Sequence, residues 1–128
     1  MLPFSLVFRS GLSVHDQVVF AVKKACVAGQ LRPGDAFPSV RTLSQELRIN
    51  PNTAHKAVAT LVGEGLLEVK PGIGTIVGRA PAGTRAQRRT LLREDLERLV
   101  VEARKLSLDV DDVLEAVKDH WSRYDRRP

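Results

Sequence analysis

The chain has 128 residues, a formal net charge of +5, 43% hydrophobic and 27% charged side chains, the composition of a soluble globular protein with one modest core. No apolar run approaches the ~18 residues of a membrane-spanning helix. The opening stretch Met1 to Arg9 lacks a basic start and a small-residue cleavage site, so it is a poor signal peptide and the cytoplasm is the expected compartment.

In chain order, Ser13 with Asp16 three residues later reads as a capping-box-like start. It precedes a helix running to about Ala28, with Val14, Val18, Ala21, Val22 and Ala25 on one face and Gly29 as its stop. Leu31 to Asp35, containing Pro33-Gly34, is a turn. Ser39 caps a short helix over about Val40–Leu47, with Leu43 and Leu47 inward. After Arg48 and Ile49, Asn50 caps a third helix with Pro51 at its first position, where the missing amide hydrogen is no loss. Ala54, Ala57, Val58, Leu61 and Val62 make its apolar face. Asn52, Thr53, His55, Lys56 and Thr60 make the opposite one. Gly63 and Gly65 end it, and two β-like runs, Leu66–Lys70 and Thr75–Val77, joined through Pro71-Gly72-Ile73-Gly74, read as a hairpin.

The stretch Gly78-Arg79-Ala80-Pro81-Ala82-Gly83-Thr84 marks a boundary between a first domain, 1–80, and a second part, 81–128. Thr84 and Asp109 begin two further helices. Leu92, Leu96, Leu99, Ala103 and Leu106 stand at 4-3-4-3 spacing on the first. Val110, Leu114, Val117, Trp121 and Tyr124 repeat it on the second. Neither helix could bury its stripe alone, so a second copy is the natural cover, and Leu92, Leu96, Leu99, Leu106, Leu114 and Trp121 are the expected dimerisation residues. The expected fold is mainly α with a small hairpin: a winged helix-turn-helix followed by a two-helix dimerisation arm.

Chemistry follows from residue type and place. Residues 1–80 carry nine Lys/Arg against five Asp/Glu, whereas 81–128 carry eleven against ten, so the positive excess sits in the first domain and points to a polyanion. The third helix offers short amides and hydroxyls to base edges, and a free N-terminus to phosphate. Arg85, Arg88, Arg89 and Arg93 crowd the start of the arm against the helix dipole. They could reach DNA phosphates flanking the wing, pair with Glu94, Asp95 and Glu97, or be solvated. Cys26 alone excludes a disulfide framework and multi-cysteine zinc. His15, His55 and His120 lack metal-ligand spacing, so neither a metal nor another cofactor is expected. No nucleophile–base pair, paired acids or phosphate-binding glycine loop marks an enzyme.

The stretch Gly34-Asp35-Ala36-Phe37-Pro38-Ser39-Val40-Arg41-Thr42-Leu43-Ser44 resembles the signature of GntR-family regulators. So do Glu64-Gly65-Leu66-Leu67 and Gly72-Ile73-Gly74-Thr75-Ile76-Val77. The block Asn50-Pro51-Asn52-Thr53 and the short arm resemble the YtrA-type subgroup. The resemblance, over residues 12–78, implies a sequence-specific DNA-binding repressor, and a homodimer joined through the arm would place two recognition helices about one DNA turn apart and select an inverted-repeat operator. It places DNA contacts on Arg41, Asn50, Asn52, Thr53, His55 and Lys56, and in the wing on Lys70, Pro71 and Gly72. Pro51 and His55 stand where the family often has arginines, which removes a guanine-reading guanidinium.

By chemistry, Arg41 suits a bidentate base or phosphate contact, or a surface ion pair with Glu46 or Asp35. Asn52 suits adenine, and Thr53 a phosphate oxygen or thymine methyl. Asn50 suits a phosphate or capping alone. Lys70 and the glycine-tipped wing suit the backbone or minor groove; Gly72 and Gly74 alternatively just supply positive φ. Two other readings remain at this level. One is a regulator sensing a small-molecule effector or metal in the arm, though 48 residues leave little room for a pocket of ~300 Å³ or more. The other is a winged-helix protein-interaction module, against which the basic domain and the amide-hydroxyl face argue.

Overall fold

The structure, a computed structural model, describes residues 1–125, so the last three residues of the expected arm lie outside it. The chain divides into two compact units, Met1–Ala80 and the segment from Pro81 onward.

In the first unit three helices precede a hairpin: α1 (Val14–Ala28), α2 (Val40–Leu47), α3 (Pro51–Gly63), β1 (Leu67–Lys70) and β2 (Gly74–Val77). Each helix starts where a side chain satisfies a first-turn amide. The Ser13 hydroxyl accepts from Asp16 N at 3.2 Å, Ser39 from Thr42 N at 3.1 Å, and Asn50 Oδ1 from Asn52 N at 2.8 Å. All three helices and β1 place aliphatic side chains in one core, whose largest fully buried members are Val18, Val22, Leu43, Leu61 and Leu67. Burial on that scale contributes about 1.5–3 kcal/mol per side chain. Val14 and Val62, expected inside, are exposed. They sit at the edges of their helical stripes, where the apolar arc outruns the cover above it.

The opening segment is part of this core. Phe4 is buried and stacks on Phe37 with ring centroids 6.0 Å apart, and Leu2 and Leu6 pack beside it.

The hairpin pairs Leu67 with Val77 and Lys70 with Gly74. Its tip is a four-residue turn in which Ile73 N donates to Lys70 O at 3.0 Å, with Gly72 at φ 77°. Proline second and a positive-φ residue third is the type II arrangement, so Gly72 is there for conformation. The wing is more than the expected hairpin. Ala36 bridges Ile76, Phe37 N donates to Thr75 O (2.9 Å), and Val77 N donates to Asp35 O (2.8 Å). A third short strand therefore ties the wing to the residues that lead into α2.

The second unit begins at a capping box in which the Thr84 hydroxyl accepts from Gln87 N and Gln87 Oε1 accepts from Thr84 N. Here the structure departs from a plain helix. α4 (Arg85–Arg89) passes into a π-helical stretch, Thr90–Asp95, before α5 (Leu96–Lys105). A turn through Ser107, at φ 62°, leads to α6 (Val110–Arg123), capped by Asp109. Among the described residues of this unit only Ala103 is buried.

Among the described residues no helix is long and apolar enough to cross a membrane.

Candidate nucleic-acid interface

The sequence places α2, a tight turn and α3 in succession, and the backbone shows why the turn is sharp. Arg48 adopts the left-handed conformation at φ 55° and its N–H closes α2 by donating to Ser44 O. Two residues later the chain is in α3. The inward side of α3 is Ala54, Ala57, Val58 and Leu61. Outward stand Asn52, His55 and Lys56, all exposed, with Thr53 half-buried. Asn50 is exposed at the cap. Its Oδ1 is engaged by the Asn52 amide, which leaves its NH2 group pointing to no partner among the described residues.

Thr60 belongs elsewhere. It was expected on the outer face but is half-buried, and His15 Nε2 of α1 lies 2.9 Å from its hydroxyl oxygen. That hydroxyl donates to Lys56 O at 3.0 Å, so the imidazole N–H is the donor to it. Thr60 is thus an α1–α3 tie, because it lies one turn beyond the part of α3 that is clear of α1.

The electrostatics of the unit favour an external anion. Every one of its five carboxylates already has a partner. Asp16 pairs with His15 (3.0 Å), Glu46 with the Met1 amino group (2.6 Å), Glu64 with Lys23 (2.8 Å) and Glu68 with Lys70 (3.2 Å). Asp35 accepts from the Arg32 backbone N–H at 2.9 Å. Arg41 on α2, Arg48 in the turn and Lys56 on α3 are exposed, and none has an ion pair among the described residues. The Arg41 ion pair with Glu46 or Asp35, one option from sequence, is therefore not formed among them. Arg48 was missed at the sequence level; its position one residue before Ile49 and the Asn50 cap was the signal that could have found it. Lys70 and Gly72 are exposed at the wing, Lys70 beside Glu68. Burial pushes the Cys26 thiol up, which keeps it protonated near neutral pH. Among the described residues no cluster of His, Cys, Asp and Glu could hold a metal ion.

Three helices, a tight α2–α3 turn and a β-wing, with an exposed polar face on the third helix, define a winged helix-turn-helix, a class of DNA-binding proteins. Comparison with known proteins then gives the family. Residues 15–77 match the model of the bacterial regulatory proteins of the gntR family. The HTH-type transcriptional repressor YtrA of Bacillus subtilis (strain 168) is 31% identical over 112 residues, covering 87% of this chain and 86% of that protein. This chain belongs to the GntR family of transcriptional regulators, and its likeness to YtrA over most of both chains makes it a YtrA-type member. Among solved structures, a transcriptional antiterminator from Listeria monocytogenes EGD-e shares the fold, with a TM-score of 0.83, 20% identity, and coverage of 98% of this chain and 95% of that one. The AraR DNA-binding domain in complex with operator ORX1 is 28% identical with a TM-score of 0.50, covering 58% of this chain and 95% of that one.

Proposed function

We propose that this chain is a homodimeric repressor that reads an inverted-repeat operator with the N-terminal half of α3 in the major groove. The observation that carries the reading is the surface around α3. Arg41, Arg48 and Lys56 are exposed without an ion pair among the described residues, in a unit whose acids are all engaged. Asn52 then meets a base edge, adenine by its paired donor and acceptor. Thr53, half-buried, is limited to a phosphate oxygen or thymine methyl near the groove wall. Asn50, through its NH2 group, and Arg48 hold phosphates, and Arg41 contributes a bidentate contact. His55 and Lys56 line the rest of the helix. Lys70 leaves Glu68 for the DNA backbone, with Gly72 keeping the tip slim.

Dimerisation is assigned to the arm. Leu92, Leu96, Leu99, Leu106, Leu114 and Trp121 are all exposed, Leu92 at 65%, Leu106 at 66% and Trp121 at 77%. Aliphatic stripes this open on two helices are the pattern of an uncovered interface. Repression follows the naming of YtrA and operator binding the AraR complex.

The test is selection of bound duplexes from a random DNA pool by the full chain. The expected product is an inverted repeat with half-site centres about one turn, ~34 Å, apart. Unenriched pools, or a lone asymmetric half-site, would overturn the reading.

A further inference from the structure

Continued towards the N-terminus from Leu92, the 4-3 spacing of the arm's leucine stripe falls on Arg89 and then Arg85. An uninterrupted α-helix would therefore aim both arginines along the apolar seam, with Arg88 beside them. The structure avoids this. Through Thr90–Asp95 the helix is π-helical, and Leu96 N donates five residues back to Leu91 O. A π-bulge holds one residue more than an α-turn, which swings everything before it by about 100° around the axis. The one-residue shift turns Arg85 and Arg89, about 40° apart around the axis, off the stripe and brings Arg88 to the place Arg89 would have held.

Among the described residues these arginines have no ion pair inside the arm. From Arg85 to Arg93 there are four arginines and no acid. Asp95, the nearest carboxylate with a partner, is bound to Arg98 at 3.3 Å, and no ion pair joins Glu94 or Glu97 to an arginine among the described residues. The cations also stand at the positive end of their helix, where the chain itself disfavours them. An anion from outside would remove both penalties. The connection to the wing says which: β2 ends at Val77, eight residues before Arg85, so the cluster is tethered within ~28 Å of the wing, less than the ~34 Å of one duplex turn.

We propose that Arg85 and Arg89 form a second surface for the DNA phosphate backbone, flanking the operator half-site, and that the π-bulge exists to keep these two off the dimer seam. This rests on the operator-binding reading above.

The test uses the full chain and the operator selected from the random pool, on long and flank-trimmed duplexes, with affinity measured across KCl concentrations. The variant Arg85→Gln/Arg89→Gln should bind the long duplex with a salt slope shallower by about 0.9 for each phosphate it no longer neutralises. Wild type on the trimmed duplex should show the same shallower slope, a comparison that needs no variant to fold. If wild type binds long and trimmed duplexes with one slope and the double variant matches it, this second surface does not exist while the operator reading stands. Failure of wild type to bind any selected duplex would instead sink the operator reading itself.

Discussion

A methyl group built on Gly78 would sit 2.7 Å from the carbonyl oxygen of Gly65, closer than carbon and oxygen can approach. Gly78 N also donates to Leu66 O at 2.8 Å, so the residue cannot retreat without breaking a bond. Gly78→Ala is therefore expected to destabilise the first unit by about 1–3 kcal/mol. Urea unfolding reads this directly, and a midpoint equal to wild type would show that the backbone absorbs the strain. From sequence Gly78 belonged to the linker, because a residue without a side chain leaves no mark in a hydrophobic pattern. Arg48 makes the opposite point. A side chain held at φ 55° costs about 1 kcal/mol that glycine would not, so Arg48 is not the residue that fold stability alone would select at that corner.

At the level of elements, the proposed base reading and backbone holding are separable by experiment. Asn52→Ala on α3 should weaken operator binding by about 1–3 kcal/mol and leave random DNA nearly untouched. Lys70→Ala on the wing should weaken both and flatten the salt dependence by about one phosphate's worth of slope. Equal losses on operator and random DNA for Asn52→Ala would remove it from base recognition. The elements themselves were legible because each helix announces its start: Ser13, Ser39, Asn50, Thr84 and Asp109 all cap as their chemistry requires. Three features were not. The strand through Ala36 is a single bridge, too short for any alternation. Thr60 looks like a groove residue until α1 supplies His15 as its partner. The π-helical stretch has no signal of its own, since its six residues, Thr-Leu-Leu-Arg-Glu-Asp, are compatible with an ordinary helix. Local chemistry marks where helices begin; which neighbour a half-polar face meets depends on residues far apart in the chain.

For the molecule as a whole, the contrast lies between a head with a full core and an arm in which only Ala103 is buried among the described residues. Helices of this length are marginal without tertiary cover. Placing a charge in both stripes, Leu99→Glu/Leu114→Glu, is expected to convert the proposed dimer to a monomer in sedimentation and to lower helical content. The head's fold should persist. A variant still dimeric at micromolar concentration would move the interface elsewhere. In the proposed dimer, where a second copy covers the arm, assembly becomes part of the regulator's dose response. Operator occupancy would then climb as the square of chain concentration at low expression, so halving the copy number would relieve repression about fourfold at the foot of that curve.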